Sequence, residues 1–196
     1  MVRRVLDIVV ALTALVLLAP VLLVIGLAIR LTMGSPVLFR QDRSGHGGQV
    51  FAIAKFRTMR APRHPDESDA ERTPRLGSLL RATSLDELPQ LWNVLRGDMS
   101  LIGPRPTLPE QVVHYSARQR RRLEVLPGMT GYAQVKGRNS LPWPERIELD
   151  IYYIDHRCIS LDLWILGKTV ANLVRPEGIN GEGGVNPGFP VDSSAA

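Results

Sequence analysis

The apolar positions of this chain fall into two regimes. From Ile8 to Ile29 no residue is charged, and the run is almost entirely Leu, Val, Ala and Ile; roughly twenty such residues suffice to cross a bilayer as a helix. Arg3 and Arg4 precede it and Arg30, Arg40 and Arg43 follow it, so positive-inside bias draws both ends to the cytoplasm. Pro20 stands near the middle, where it removes one helical hydrogen bond and clashes with the carbonyl of Val16, favouring a bend. A re-entrant membrane helix broken at Pro20 satisfies both facts. A single tilted span with a tolerated proline is the alternative. A cleaved signal peptide is set aside by the length of the apolar run and by Pro20 after its only small-residue stop.

After residue 30 the apolar runs shorten. Val37-Leu38-Phe39 and Val50-Phe51-Ala52-Ile53 bracket the glycine-rich stretch Asp42 to Gly48, which predicts a short β-hairpin. No helix follows those glycines and no Lys-Ser/Thr pair closes a P-loop, so they read as a turn. A polar excursion from Ala61 to Thr73 predicts a surface loop. Helical spacing resumes at Leu76, Leu79 and Leu80, and again from Ser84 through Leu88, Leu91, Trp92 and Leu95 to a stop at Gly97. Further helices are predicted over Glu110 to Leu126, Pro144 to His156 and Leu161 to Val174, the last amphipathic enough to lie in a membrane interface or to serve as a core helix. The fold class is α+β, mostly α: a membrane segment over 1–30, a main domain over 31–175 and a mobile tail over 176–196.

Composition narrows the partners. The chain has 196 residues, 44% apolar and 22% charged, which suits one compact domain. Its single cysteine, Cys158, supplies neither a disulfide nor a thiolate metal cluster, and a reducing compartment fits. Lys plus Arg number 24 against 19 Asp plus Glu, and the pI of about 9.9 points to an anionic partner.

The sharpest local feature is Ser84-Leu85-Asp86-Glu87. Serine with glutamate three residues on is a capping box, and acids in a first turn are favoured by the helix dipole for stability alone. Its company suggests chemistry as well. Arg81 lies just upstream, and Gly103-Pro104-Arg105-Pro106 holds an arginine between two prolines, an arrangement suited to a phosphate. Pro127-Gly128-Met129-Thr130-Gly131 and Lys136-Gly137-Arg138-Asn139 add backbone amides and two cations. Together these parts match a division of labour in phosphoryl transfer: cations neutralise a diphosphate, Mg²⁺ bridges its oxygens, and a carboxylate attacks phosphorus. Ordinary ion pairing is the competing explanation. The arginine run Arg118 to Arg122 reads as a solvated charged face, with attraction to anionic headgroups as the functional alternative.

The run Thr83 to Leu91 (Thr-Ser-Leu-Asp-Glu-Leu-Pro-Gln-Leu), with Asn93-Val94-Leu95, Gly97-Asp98-Met99-Ser100 and Gly103-Pro104-Arg105-Pro106, resembles the bacterial sugar transferases, the monotopic phosphoglycosyl transferases. Lys55-Phe56-Arg57-Thr58-Met59, Pro127 to Gly131, Ala133-Gln134-Val135, Gly137-Arg138-Asn139 and Asp150-Ile151-Tyr152-Tyr153 resemble that family in the same order. The resemblance implies a minimal catalytic form of a membrane enzyme, with its transferase domain over 31–175 on the cytoplasmic face of the inner membrane. Such an enzyme moves a sugar phosphate from a UDP-sugar to polyprenyl phosphate and releases UMP, the first membrane step of glycan assembly. It also implies Asp86 as nucleophile and metal-side ligand, Glu87 as its dyad partner, Mg²⁺ as cofactor, and Arg81, Arg105 and Arg138 on phosphates. Lys55, Arg57 and Asp150 match family positions as substrate-binding or structural residues. The family's Ser-Pro break is Ala19-Pro20 here, without the hydroxyl that would satisfy a freed carbonyl. Two readings compete: a basic, membrane-anchored binding protein without catalysis, and a glycosyltransferase that moves the sugar alone and releases UDP. No aromatic-interleaved basic strip favours nucleic acid.

Overall fold

The structure is a computed structural model that describes residues 2–137 and 141–174. The predicted tail and Arg138 lie outside those residues. The chain divides into two compact units, one made of residues 1–41 with 52–96, the other of 42–51 with the chain from 97 onward.

In the first unit, α1 (Val2–Met33) is long and apolar enough to cross a membrane; 32 residues at 1.5 Å each make about 48 Å. The interruption expected at Pro20 is not seen, because the helix continues through the proline. A proline deletes a single backbone bond, and the apolar residues on either side go on making theirs. The middle of α1 is bare, with Leu17 70% and Leu23 74% exposed, whereas Asp7, Ala11, Ile25 and Ile29 are buried. Both end segments are moored within this unit. The Arg4 guanidinium donates to the carbonyls of Val94 (2.5 Å) and Leu95 (2.8 Å). Ile25 and Ile29 join Phe56 and Leu80 in an apolar cluster, each contributing about 1.5–3 kcal/mol through burial.

The hairpin forms as expected from the apolar runs. Strand β1 (Leu38–Ser44) pairs antiparallel with β2 (Val50–Phe56). They are joined through a one-turn 3-10 segment in which Gly47 and Gly48 take positive φ, as glycine readily does. The excursion after β2 lies on the surface as expected, and side-chain bonds give it a fixed course. The Arg60 fork grips Glu67, holding that carboxyl down at about 2. Ser68 and Glu71 form a capping box on the short helix α2 (Asp69–Arg72). Helix α3 (Arg75–Ala82) follows, and α4 (Gln90–Arg96) packs on α1. The buried Asn93 of α4 clips onto β2, accepting from the Ala54 amide at 3.1 Å and donating to the Ala52 carbonyl at 2.9 Å.

In the second unit, two three-residue strands, β3 (Ser100–Ile102) and β4 (Gly128–Thr130), pair in parallel, Ser100 opposite Gly128 and Ile102 opposite Thr130. The single helix expected over Glu110 to Leu126 is three pieces: α5 (Pro109–Val112), α6 (Ala117–Arg120) and a 3-10 turn over Arg121–Glu124. The break lies at Ser116, whose hydroxyl accepts from the Gln119 amide while the Gln119 side chain accepts from the Ser116 amide, so a capping box starts a new helix in mid-run. A short α7 (Tyr132–Lys136) precedes α8 (Trp143–His156) and α9 (Ile159–Val174), the latter two close to the predicted spans. On α9, Ile165 is buried, while Ile159, Leu163, Trp164, Val170 and Leu173 are exposed.

The Arg118 to Arg122 run is a solvated face only in part: Arg118 and Arg120 are exposed, but Arg122 is not. Arg118 forks onto Glu148, Arg121 bonds Glu124 and Asp155, and Arg122 is buried against Asp150. Glu124 is a local (i,i+3) partner, but Glu148, Asp150 and Asp155 lie on α8, too far along the chain for local pattern to pair them.

Candidate active site

Asp86 and Glu87 occupy a single 3-10 turn, Leu85–Glu87, ahead of α4. The expected N-cap is absent: Ser84 has φ 57° and ψ 16° and makes no side-chain capping bond. A one-turn helix also carries little of the macrodipole expected to act on Asp86. Ser84 is the one non-glycine with positive φ among the described residues. A non-glycine in this region costs of order 1–3 kcal/mol, and such strain gathers at functional sites. Glu87 does not complete a capping box either. Its Oε1 accepts from Lys55 Nζ at 2.6 Å, both side chains being about 19% exposed. The explanation by helix capping therefore fails on geometry, leaving two adjacent, partly exposed carboxylates on a strained turn.

The neighbouring basic residues of the first unit divide into two kinds. Arg81 on α3 is exposed, and its Nε donates to the Thr58 hydroxyl at 2.9 Å; its two Nη groups make no bond among the described residues. Arg57 instead donates to the carbonyls of Met33, Gly34 and Ser35 at 2.5, 2.6 and 2.9 Å. It closes the C-terminal end of α1, whose last carbonyls have no helical partners. These bonds are the structural task that one of the two readings of Arg57 requires.

In the second unit, Arg105 is exposed although Gly103, Pro104, Pro106 and Thr107 around it are buried. The main chain of this loop is held at each step. The Gly103 amide donates to Thr130 and the Gly128 amide to the Pro104 carbonyl, both at 2.9 Å. Arg122 donates to the Arg105 carbonyl at 3.2 Å, Arg43 to that of Pro106 at 3.4 Å, and the Ser44 amide to that of Thr107 at 2.9 Å. A Cβ on Gly103 would come within 2.4 Å of the Leu126 carbonyl oxygen, so the two backbones can cross here only because a glycine stands at the crossing. Asp150 is buried against Arg122; burial pushes its carboxyl above the ordinary range, with the guanidinium working against the shift. Burial lowers the Arg146 pKa, and the charges of Arg105 and Arg122 lower it further, so three guanidiniums share this region with the Asp150 carboxyl.

Thr58, Asn93, Arg122 and Arg146 were not singled out by sequence. Thr58 and Asn93 stood inside recognisable motifs and Arg122 inside the arginine run, but the contacts that give Asn93 and Arg122 their tasks are far away in the chain. No group of three or more His, Cys, Asp or Glu able to hold a metal occurs among the described residues. Mg²⁺ does not require one, since it takes one or two carboxylates and completes its shell with substrate oxygens and water; Asp86 with its neighbour fits that pattern. An open cleft of about 400 Å³ on the second unit, lined by Tyr132, Glu148, Tyr152 and His156 among others, contains none of the predicted site residues. Its rings stack on one another, Tyr132 on Tyr152 at 5.2 Å and Tyr152 on His156 at 4.1 Å.

The first unit thus carries an apolar helix of membrane-crossing length, an acidic turn on strained backbone and the exposed Arg81, features that suit a membrane-linked enzyme. The family model for bacterial sugar transferases matches residues 1–176, and the chain belongs to that family; it is a phosphoglycosyl transferase. It is 43% identical over 180 residues to the uncharacterized sugar transferase EpsL of Bacillus subtilis, covering 90% of this chain and 89% of the relative. It is 46% identical over 185 residues to the UDP-glucose:undecaprenyl-phosphate glucose-1-phosphate transferase of Caulobacter vibrioides, covering 88% and 69%. Over 193 residues it is 40% identical to the undecaprenyl-phosphate glucose phosphotransferase of Komagataeibacter xylinus, covering 86% of this chain and 35% of that protein. Membership sets aside the non-catalytic binding protein.

Proposed function

We propose that this enzyme transfers a sugar phosphate from a UDP-sugar to polyprenyl phosphate and releases UMP, through a phosphosugar ester on Asp86, at the cytoplasmic face of the inner membrane. The observation that carries the reading is the Asp86-Glu87 turn, whose strained approach and Lys55 contact are not accounted for by capping. The names of the Caulobacter and Komagataeibacter relatives support sugar-phosphate transfer over transfer of the sugar alone.

In the first step an Asp86 carboxylate oxygen attacks the phosphorus that bears the sugar. The bond from that phosphorus to the bridging oxygen breaks, and UMP leaves with the electron pair. In the second step an oxygen of polyprenyl phosphate attacks the same phosphorus, the acyl-phosphate bond breaks, and Asp86 returns as carboxylate. Two displacements of this kind make a ping-pong reaction. Glu87, oriented by Lys55, assists the acceptor step. Arg81, its Nε fixed on Thr58, Arg105 on its braced loop, and Arg138 bind phosphate oxygens. Mg²⁺, held by Asp86 together with the diphosphate, would neutralise charge on the donor.

The membrane placement follows from the acceptor, whose prenyl chain stays in the bilayer. Because α1 is continuous through Pro20, a re-entrant course requires it to bend at the proline without breaking; the mooring of both end segments within one unit supports that course. The apolar face of α9, with Trp164 under Lys136 and Lys168 at 5.5 and 5.9 Å, suits the interface. The deciding experiment incubates the full chain with donor labelled in the sugar-linked phosphate. Label is expected on Asp86 before acceptor is added and is chased into lipid afterwards. Asp86→Asn is expected to stay folded in membranes, to take no label and to lose turnover by roughly 10³-fold or more. Product formation without any adduct on Asp86 would overturn the mechanism.

A further inference from the structure

The geometry points to Arg122 as a positioning residue for Arg105: a buried guanidinium, balanced by Asp150 and aligned by Tyr115, that fixes the carbonyl of Arg105 and thereby the direction in which the exposed side chain leaves its loop. This rests on the reading of Arg105 as a phosphate ligand.

Four observations carry it. Arg122, Asp150 and Tyr115 are 5%, 2% and 4% exposed, so the group is sealed from water. The guanidinium is held from three directions: Nε donates to Asp150 at 2.8 Å, Nη1 to the Tyr115 hydroxyl at 2.6 Å, and Nη2 reaches the Arg105 carbonyl at 3.2 Å. The Tyr115 hydroxyl in turn donates to the Thr107 hydroxyl at 3.1 Å, so the same network touches the loop again two residues later. Finally, Arg105 is the exposed residue in a stretch whose neighbours on both sides are buried, which makes its main chain the lever that aims the side chain.

Stability alone explains this arrangement poorly. A buried ion pair commonly contributes no more than an apolar packing of equal volume, because desolvating two charges offsets their attraction. What a planar, five-donor guanidinium adds is direction, and errors of about 1 Å in a charged ligand can cost on the order of 100-fold in rate. Lysine at 122 would keep the charge beside Asp150 and lose the fork.

The test is a mutant cycle read by UDP binding, using the full chain in phospholipid nanodiscs with Mg²⁺ and titration calorimetry. Arg105→Ala is expected to weaken UDP binding roughly 10-fold or more, the loss of one charged hydrogen-bonding group. Arg122→Lys is expected to weaken it by a similar factor, and Tyr115→Phe, which keeps the ring and removes only the hydroxyl, by about 3-fold. Either change added to Arg105→Ala is expected to weaken binding no further, because a positioning residue acts only through the group it positions. If Arg105→Ala binds UDP normally, the phosphate-ligand reading itself fails. If Arg105→Ala weakens binding while Tyr115→Phe and Arg122→Lys do not, or if the losses simply multiply in the double variants, the positioning role is overturned. Should Arg122→Lys not fold, the Tyr115→Phe arm decides the matter in the same way.

Discussion

Glu87 could have served as the second half of a capping box, and its side chain crosses to Lys55 on β2 instead. If Lys55 acts only by orienting and balancing Glu87, the two residues form one functional unit. Glu87→Gln is expected to lower UMP release by roughly 100-fold, in the range for loss of a general acid-base group. Lys55→Met is expected to lower it less, and the double variant to be no worse than Glu87→Gln alone. UMP release under saturating donor and acceptor checks this, and fully multiplicative losses would show that Lys55 has a separate task. At this scale the acids and Arg105 were legible because short motifs carry them. Lys55 as the partner of Glu87 was not, since 32 positions separate the two. Arg122 was hidden differently, as one of several consecutive arginines of which it alone is deeply buried.

Elements with a sustained period were readable: the hairpin from its paired apolar runs, and α8 and α9 from their helical spacing. The strands β3 and β4 were not, because three residues are too few to show alternation. The broken α5–α6 segment shows a local cap overriding helical periodicity. Packing between elements adds a constraint with no periodic signature. A Cβ on Gly77 of α3 would lie 1.9 Å from the Thr58 carbonyl oxygen, backbone that has little room to yield. Gly77→Ala is therefore expected to destabilise the protein by at least about 1–3 kcal/mol, the usual range for overpacking. It should also loosen the Arg81–Thr58 contact one turn further along. Thermal unfolding in lipid, compared with Ser78→Ala beside it, checks the first effect. An unchanged midpoint would show that α3 can lift off Thr58 freely.

For the molecule as a whole, the course of α1 is the feature with the widest reach. A re-entrant helix returns both of its ends to one compartment, whereas a spanning helix separates them. With Cys158→Ser as background, Val2→Cys and Thr32→Cys are both expected to react with an impermeant maleimide in inverted vesicles, and neither in right-side-out ones. Labelling of the two sites from opposite sides would establish a span. Composition disclosed this anchor at once, but not that Ile25 and Ile29 also belong to the packing around Phe56 and Leu80, since nothing in a uniformly apolar run marks which residues face protein.

That double duty bears on handling the enzyme. Trimming the chain before residue 34 to obtain a water-soluble fragment would strip Phe56 and Leu80 of their cover and leave the Arg57 guanidinium without the Met33 carbonyl it binds. The anchor is therefore not a detachable tether: the same helix that offers a bare middle to lipid supplies part of the protein interior.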